Sequence, residues 1–197
     1  MAILKIARMG HPVLHQIAET VDDPTDPGIA RLINDMIDTL QDSAGIGLAA
    51  SQVHVSKRVV IFFAPESRSG EDEEESETEL TIMINPVIEP LSDKTNLDWE
   101  ACLSVPNLKG AVERYSHIKY SWSTPAGKRE ERVASGFHAR AVQHECDHLD
   151  GILYPMRMTD LTLLGYTEET NRNIELLRRG HGLEDGFDPE QQVAEEG

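Results

Sequence analysis

The stretch QHECDHLDG, residues 143–151, sets two histidines four apart with a glutamate directly after the first. On an α-helix, residues four apart stack one turn above another, so His144 and His148 project from one face and can reach a single ion. Glu145 falls about 100° further round, beside such an ion and not against it. From there its carboxylate can take a proton from a water activated by the cation. Cys146 falls roughly 200° round and points away, which reads as a small buried side chain. The helix is expected over roughly 136 to 149, with Gly151 as its terminator. A merely polar helix face would carry the same letters, so the third ligand matters.

Catalytic zinc-type sites use three protein groups and leave a position for water. Three residues compete for that role. A metzincin-like chain would continue H-E-x-x-H-x-x-G-x-x-H; Gly151 fits, but Tyr154 stands where the last histidine belongs. A thermolysin-like endopeptidase takes a glutamate from a following helix, and Glu168 lies twenty residues beyond His148. Cys102, in EACLS, is the third candidate, and taken alone it reads as a packed strand cysteine.

The surroundings read as mixed α and β. Pro27 followed by Ile29, Leu32, Ile33, Met36, Ile37 and Leu40 gives a core-facing helix pattern. GIGLAASQ (45–52) is too glycine-rich for a helix, while KRVVIFFAP and ELTIMINPVIEP read as buried strands. In SHIKYSW, Ile118, Tyr120 and Trp122 alternate with polar residues as in a half-buried strand, and TPAGKREER reads as the turn before the metal-motif helix. No repeat or second domain is evident.

The chain of 197 residues carries a formal charge of −17, which argues against nucleic acid as a direct ligand. Residues 71–79 and 184–197 hold thirteen of the acidic groups and no Lys or Arg. Without them the remainder is about −4, an ordinary domain. Both segments are expected to be solvated appendages. The start has an apolar run too short for a signal peptide, and no stretch is long enough to span a bilayer. Two cysteines are too few for a disulfide framework, so a cytoplasmic protein with reduced thiols is expected.

Three motifs in order give the chain a resemblance: GIGLAASQ with Gln52, EACLS with Cys102, and HECDH with His144 and His148. It resembles the peptide deformylases, whose motifs are a G-x-G-x-A-A-x-Q type loop, E-G-C-x-S and H-E-x-x-H. The likeness covers about residues 3 to 160. It implies an α+β fold with antiparallel strands packed around a buried helix carrying the H-E-x-x-H metal motif. It also implies Cys102, His144 and His148 as metal ligands, which leaves Glu168 a surface residue. Residues 1–165 are expected as a single catalytic metallohydrolase domain with an acidic loop at 66–80, and 166–197 as a helical segment and acidic tail.

The implied activity is removal of the formyl group from N-formylmethionine on nascent peptides, releasing formate. The implied cofactor is Fe(II), with Zn(II), Ni(II) or Co(II) able to take its place; ligand type alone does not choose among them. Glu145 would be the general base, and the Gln52 amide and Leu103 backbone N–H would hold the oxyanion. Gly45, Ile46, Gly47 and Phe137 would form the substrate pocket, alongside His144. The alternative is an H-E-x-x-H zinc endopeptidase with Glu168 as third ligand. Ala101 departs from the family's glycine and cannot adopt positive φ cheaply. Family members with a basic C-terminal helix use it to approach the ribosome; here only LLRR is basic before the negative tail.

Overall fold

The computed structural model describes residues 2–43, 45–63 and 80–181. The acidic run at 71–79 and the tail from Glu184 lie outside the described residues. Among the described residues, eight strands form two antiparallel sheets. In the first, β1 (Gly47–Ala49), β2 (Val59–Phe62) and β3 (Thr81–Pro90) are followed in space by β6 (His117–Ser123) and β7 (Arg129–Ser135). In the second, β4 (Thr95–Cys102), β5 (Val105–Tyr115) and β8 (Leu164–Tyr166) lie side by side. Mixed helix and antiparallel sheet is thus the observed class.

Periodicity explains the well-read elements. Helix α1 (Pro27–Ser43) buries Ile29, Ile33, Met36 and Leu40, one stripe at spacings of four, three and four. Each such side chain taken from water contributes roughly 1.5–3 kcal/mol. The stripe packs on Leu48, Val59, Ile61 and Ile84. On β6, Ile118, Tyr120 and Trp122 point inward, as their alternation requires.

Helix α2 (Gly136–Leu149) has two buried faces of opposite character. Ala139, Val142, Cys146 and Leu149 pack against Val60, Phe62, Met83, Tyr120 and Trp122 of the first sheet. The other face is polar and is satisfied by the second sheet. Arg140 donates to the carbonyls of Asn96, Asp98 and Val112 at 2.8, 3.2 and 2.7 Å. Gln143 meets both the N–H and the carbonyl of Tyr115, at 3.1 and 2.9 Å, as a neighbouring strand would. Arg140 and Gln143 are tolerated in the interior on these terms because each finds partners. Gly151, with φ +73°, ends the helix region in a conformation that favours glycine. A Cβ there would also stand 2.7 Å from the His15 backbone.

One reading is corrected. TPAGKREER is not a simple turn into the helix: Thr124 to Lys128 form a hairpin turn, and REERVAS continues as β7. That strand lies at the sheet edge with charged, exposed residues, which blunt an edge but erase the apolar alternation that announces a strand. After β8 come two short helices, α3 (Thr167–Arg172) and α4 (Ile174–His181). Among the described residues no helix is long and apolar enough to cross a membrane.

His138 gives the fold a pH dependence. Its ring lies 5.6 Å from Phe62 and 5.8 Å from Tyr120, and Nε2 is 2.9 Å from the Tyr120 hydroxyl. Burial, then the charge of Arg132, pushes its pKa from 6.5 down to about 4. The unfolded chain therefore binds a proton on this ring at a pH where the folded chain does not. Stability present above about 6.5 is lost as pH falls towards 4, by at most about 3 kcal/mol. Urea unfolding of the parent and His138→Gln at pH 7 and 4.5 measures it: the variant should show the shallower decline, and parallel declines contradict the assignment.

Candidate metal centre

Two distant segments converge beside α2. Cys102 ends β4, and Leu103 and Ser104 form the turn into β5, where Cys102 pairs with Val105 after a shift in register. His144 and His148 come from the helix, their rings 5.1 Å apart and nearly perpendicular. One donor atom from each of Cys102, His144 and His148 lies within 4.8 Å of the others. Cys102 Sγ is 3.3 Å from His148 Nε2. Cys146 points away into the apolar cluster, where burial raises its pKa far above the ordinary thiol value.

His144 is held from behind. Glu100, two residues before Cys102 on β4, sits 2.8 Å from His144 Nδ1. Burial of Glu100 opposes its charge, but hydrogen bonds from Arg114 and His144 outweigh this and hold its pKa far below the carboxylate range. Burial likewise opposes charge on His144, yet Cys102 and Glu100 prevail and keep its pKa well above 6.5. His148 goes the other way: burial, then the His144 charge, drives it well below 6.5. Tyr154, at the position where a metzincin would have histidine, stacks on the His144 ring at 6.3 Å.

Gln52 is 1% exposed and hydrogen-bonded at both ends of its amide. Its Oε1 accepts from the Ala49 N–H at 2.8 Å, while Nε2 points at Cys102 Sγ (3.5 Å) and donates to Ser104 Oγ (3.1 Å). The Ser104 N–H is 3.4 Å from the same sulphur. Glu145 is 6% exposed, and its Oε2 is buried without a hydrogen-bond partner. Burial, with Glu100 adding to it and His144 opposing it, lifts its pKa to about 7. A carboxylic group poised there can both take and give a proton near neutrality.

Gly47 lies against this carboxylate: a Cβ there would stand 2.6 Å from Glu145 Cδ. Gly45 faces Leu103 in the same manner, with 2.8 Å to Leu103 Cδ1. Ile46 is half-buried, and its carbonyl accepts from the Phe63 N–H at 2.7 Å. Phe137 is half-buried two turns before His144 on the same face of α2. Ala101 sits in β4 and is not among the residues with positive φ, so the missing glycine strains nothing there.

Glu168 takes no part. Its side chain is 73% exposed and pairs with Arg172 on α3. Sequence reasoning missed Glu100, Ser104, Arg114 and Asp147. Glu100 had a signal, since residues i and i+2 of a strand share a face with the suspected ligand.

A thiol and two imidazoles at this spacing suit a divalent cation such as zinc or iron. The carboxylate behind His144 is the partner that metal-bound histidines usually have. The orphaned Glu145 oxygen fits a site meant to receive a further polar ligand.

The sequence profile of the polypeptide deformylase family matches residues 3–163. The chain is 51% identical over 163 residues to a protein named peptide deformylase 1 from Bordetella pertussis, covering 83% of this chain and 92% of that one. A Met-Ala-Ser-bound crystal structure of a class I type b peptide deformylase from Acinetobacter baumannii superposes with a TM-score of 0.71 at 36% identity, covering 80% of this chain and all of that one. An actinonin complex of the Ehrlichia chaffeensis enzyme gives 0.74 at 29% identity, over 91% and 98% of the two chains. With the profile spanning most of its length and a relative half identical to it, this chain belongs to the peptide deformylase family.

Proposed function

We propose that this chain hydrolyses the N-formyl group of formylmethionine at the start of newly made polypeptides, with Cys102, His144 and His148 holding the cation. The observation that carries this reading is the convergence of one thiol and two imidazoles, from segments over forty residues apart, within 4.8 Å. α2 is then the buried helix that bears the H-E-x-x-H metal motif, within a catalytic domain of residues 1–165. Residues 166–197 are an accessory segment. The peptide held by the Acinetobacter relative, Met-Ala-Ser, has the chemistry of a deformylated product.

A divalent cation held by Cys102, His144 and His148 would supply Lewis acidity, polarising the formyl group and acidifying the attacking water. Glu145 takes the proton from that water as its oxygen bonds to the formyl carbon. As the carbon–nitrogen bond breaks, Glu145 returns the proton to the departing amine, and formic acid leaves, giving up its remaining proton to solvent as formate. Gln52 Nε2 and the Leu103 backbone N–H donate to the oxygen that gains charge in between; one such donor is worth ~2.7–4 kcal/mol of barrier. Gly45 and Gly47 let the 45–47 backbone approach the peptide closely, and Ile46, Phe137 and His144 wall the methionine side chain.

Fe(II) is the proposed cation, with Zn(II), Ni(II) and Co(II) as substitutes. The substrate places the reaction in the cytoplasm, beside the ribosome. Of the two α4 arginines only Arg179 is exposed and available for docking there, because Arg178 is buried. Anaerobic purification, metal analysis and turnover of formyl-Met-Ala test the proposal. The parent should bind one equivalent of metal and release formate, and Cys102→Ala should lose both metal and turnover. Full metal content in that variant would point to an endopeptidase with another third ligand, although an exposed, paired Glu168 does not favour one.

A further inference from the structure

Behind His144 lies a set of buried charges that the reaction steps above do not use. Arg114, on β5, forks onto Glu100: Nε to Oε1 at 2.8 Å and Nη2 to Oε2 at 3.0 Å. Its remaining nitrogen, Nη1, reaches Asp147 Oδ2 at 2.5 Å. Arg140 adds a second donor to Glu100 Oε1 at 2.9 Å. The other Asp147 oxygen is taken by Arg157 at 2.7 Å. Arg114, Glu100 and Asp147 are 6%, 6% and 7% exposed.

The geometry has a direct consequence for the ligands. Guanidinium groups only donate, so three of the hydrogen bonds around the Glu100 carboxylate are fixed as incoming. The position left on Oε2 faces His144 Nδ1 at 2.8 Å. A carboxylate gripped in this way accepts, so Nδ1 carries the ring proton and Nε2 is turned to the donor cluster. Asp147 immediately precedes His148, and the arginine that orients Glu100 also pins this turn of α2. Both histidines are thereby referred to one side chain.

We propose that Arg114 is a positioning residue of the metal centre: by gripping Glu100 and Asp147 together, it fixes the tautomer and ring plane of His144 and the helix turn that carries His148. Arg157 closes the set from outside, its side chain 46% exposed. Lysine cannot replace Arg114, because a single ammonium does not span two carboxylates with a rigid planar fork. The inference rests on the cation-binding reading given above.

The test uses the full chain loaded with Zn(II) or Co(II). Zinc dissociation constants come from chelator competition, and the Co(II) visible spectrum reports ligand geometry. Arg114→Met should weaken zinc binding about 10–100-fold, the usual effect of losing a partner behind a ligand, and should change the cobalt bands. Arg114→Lys should recover only part of the affinity. A purely structural role would lower Tm yet leave the folded protein's zinc affinity and cobalt spectrum at parent values, and that result overturns the proposal. Should Arg114→Met fail to fold, Arg157→Met reads the same set from its exposed end. A loss of zinc affinity there supports the proposal, and unchanged affinity and spectrum overturn it. A parent that binds neither metal defeats the functional reading itself; a normal parent with indifferent variants defeats only this inference.

Discussion

Glu145→Gln is expected to lose about 10²–10⁴-fold in turnover of formyl-Met-Ala while keeping a full complement of metal, the range a positioned general base supplies. The carboxylate is buried and its Oε2 has no partner. Its pKa, lifted to about 7 by burial first and Glu100 second against the pull of His144, suits proton exchange near neutrality. The amide has nearly the same size, so it touches none of the three donors and leaves no cavity. It also removes an ionisable group from a site where burial opposes charge, so thermal stability should hold or rise. Loss of activity without loss of metal or stability separates a base from a ligand. Turnover within tenfold of the parent at full metal content would remove Glu145 from that role.

The parts of this molecule that were legible in sequence are those where one local period decides the outcome. The i, i+4 histidines of α2 and the opposite, buried placement of Cys146 follow from the helix repeat, and β6 follows from strict alternation. The stripe of α1 is of the same kind. β7 was missed because it is an edge strand: its charges face solvent and only Ala134 is buried. The second sheet was weakly marked for another reason. It packs against the ionic face of α2, so its buried positions include Glu100 and Arg114, which read as surface residues until their partners are known. Long-range ion pairs have no period. Resemblance supplied Cys102 as a third ligand where spacing alone had left Glu168 in contention; the exposed pair it makes with Arg172 shows why a glutamate on a late helix is a poor guide.

The glycines of the 45–47 loop show how a steric requirement hides in a sequence. Neither is among the glycines with positive φ, so backbone conformation is not what calls for glycine. At Gly47 a Cβ would stand 2.6 Å from Cδ and 2.8 Å from Cγ of Glu145. Neither side can yield easily: β1 is paired with β2, and α2 is buried along nearly its whole length between two sheets. Gly47→Ala should therefore move the carboxylate by something approaching 1 Å and lower kcat about 10²-fold, the penalty typical of such a misplacement. The metal donors are untouched, so zinc or iron content should not change. Gly45→Ala is the control. Its Cβ would press on Leu103 Cδ1 at 2.8 Å and Leu40 Cδ1 at 3.1 Å, the far ends of flexible side chains that can give way. Its loss in kcat should be much smaller. Steady-state kinetics on formyl-Met-Ala decides between roles for Gly47: a fall in kcat places it behind the base, whereas a rise in KM alone would show that the glycine serves only the passage of the peptide.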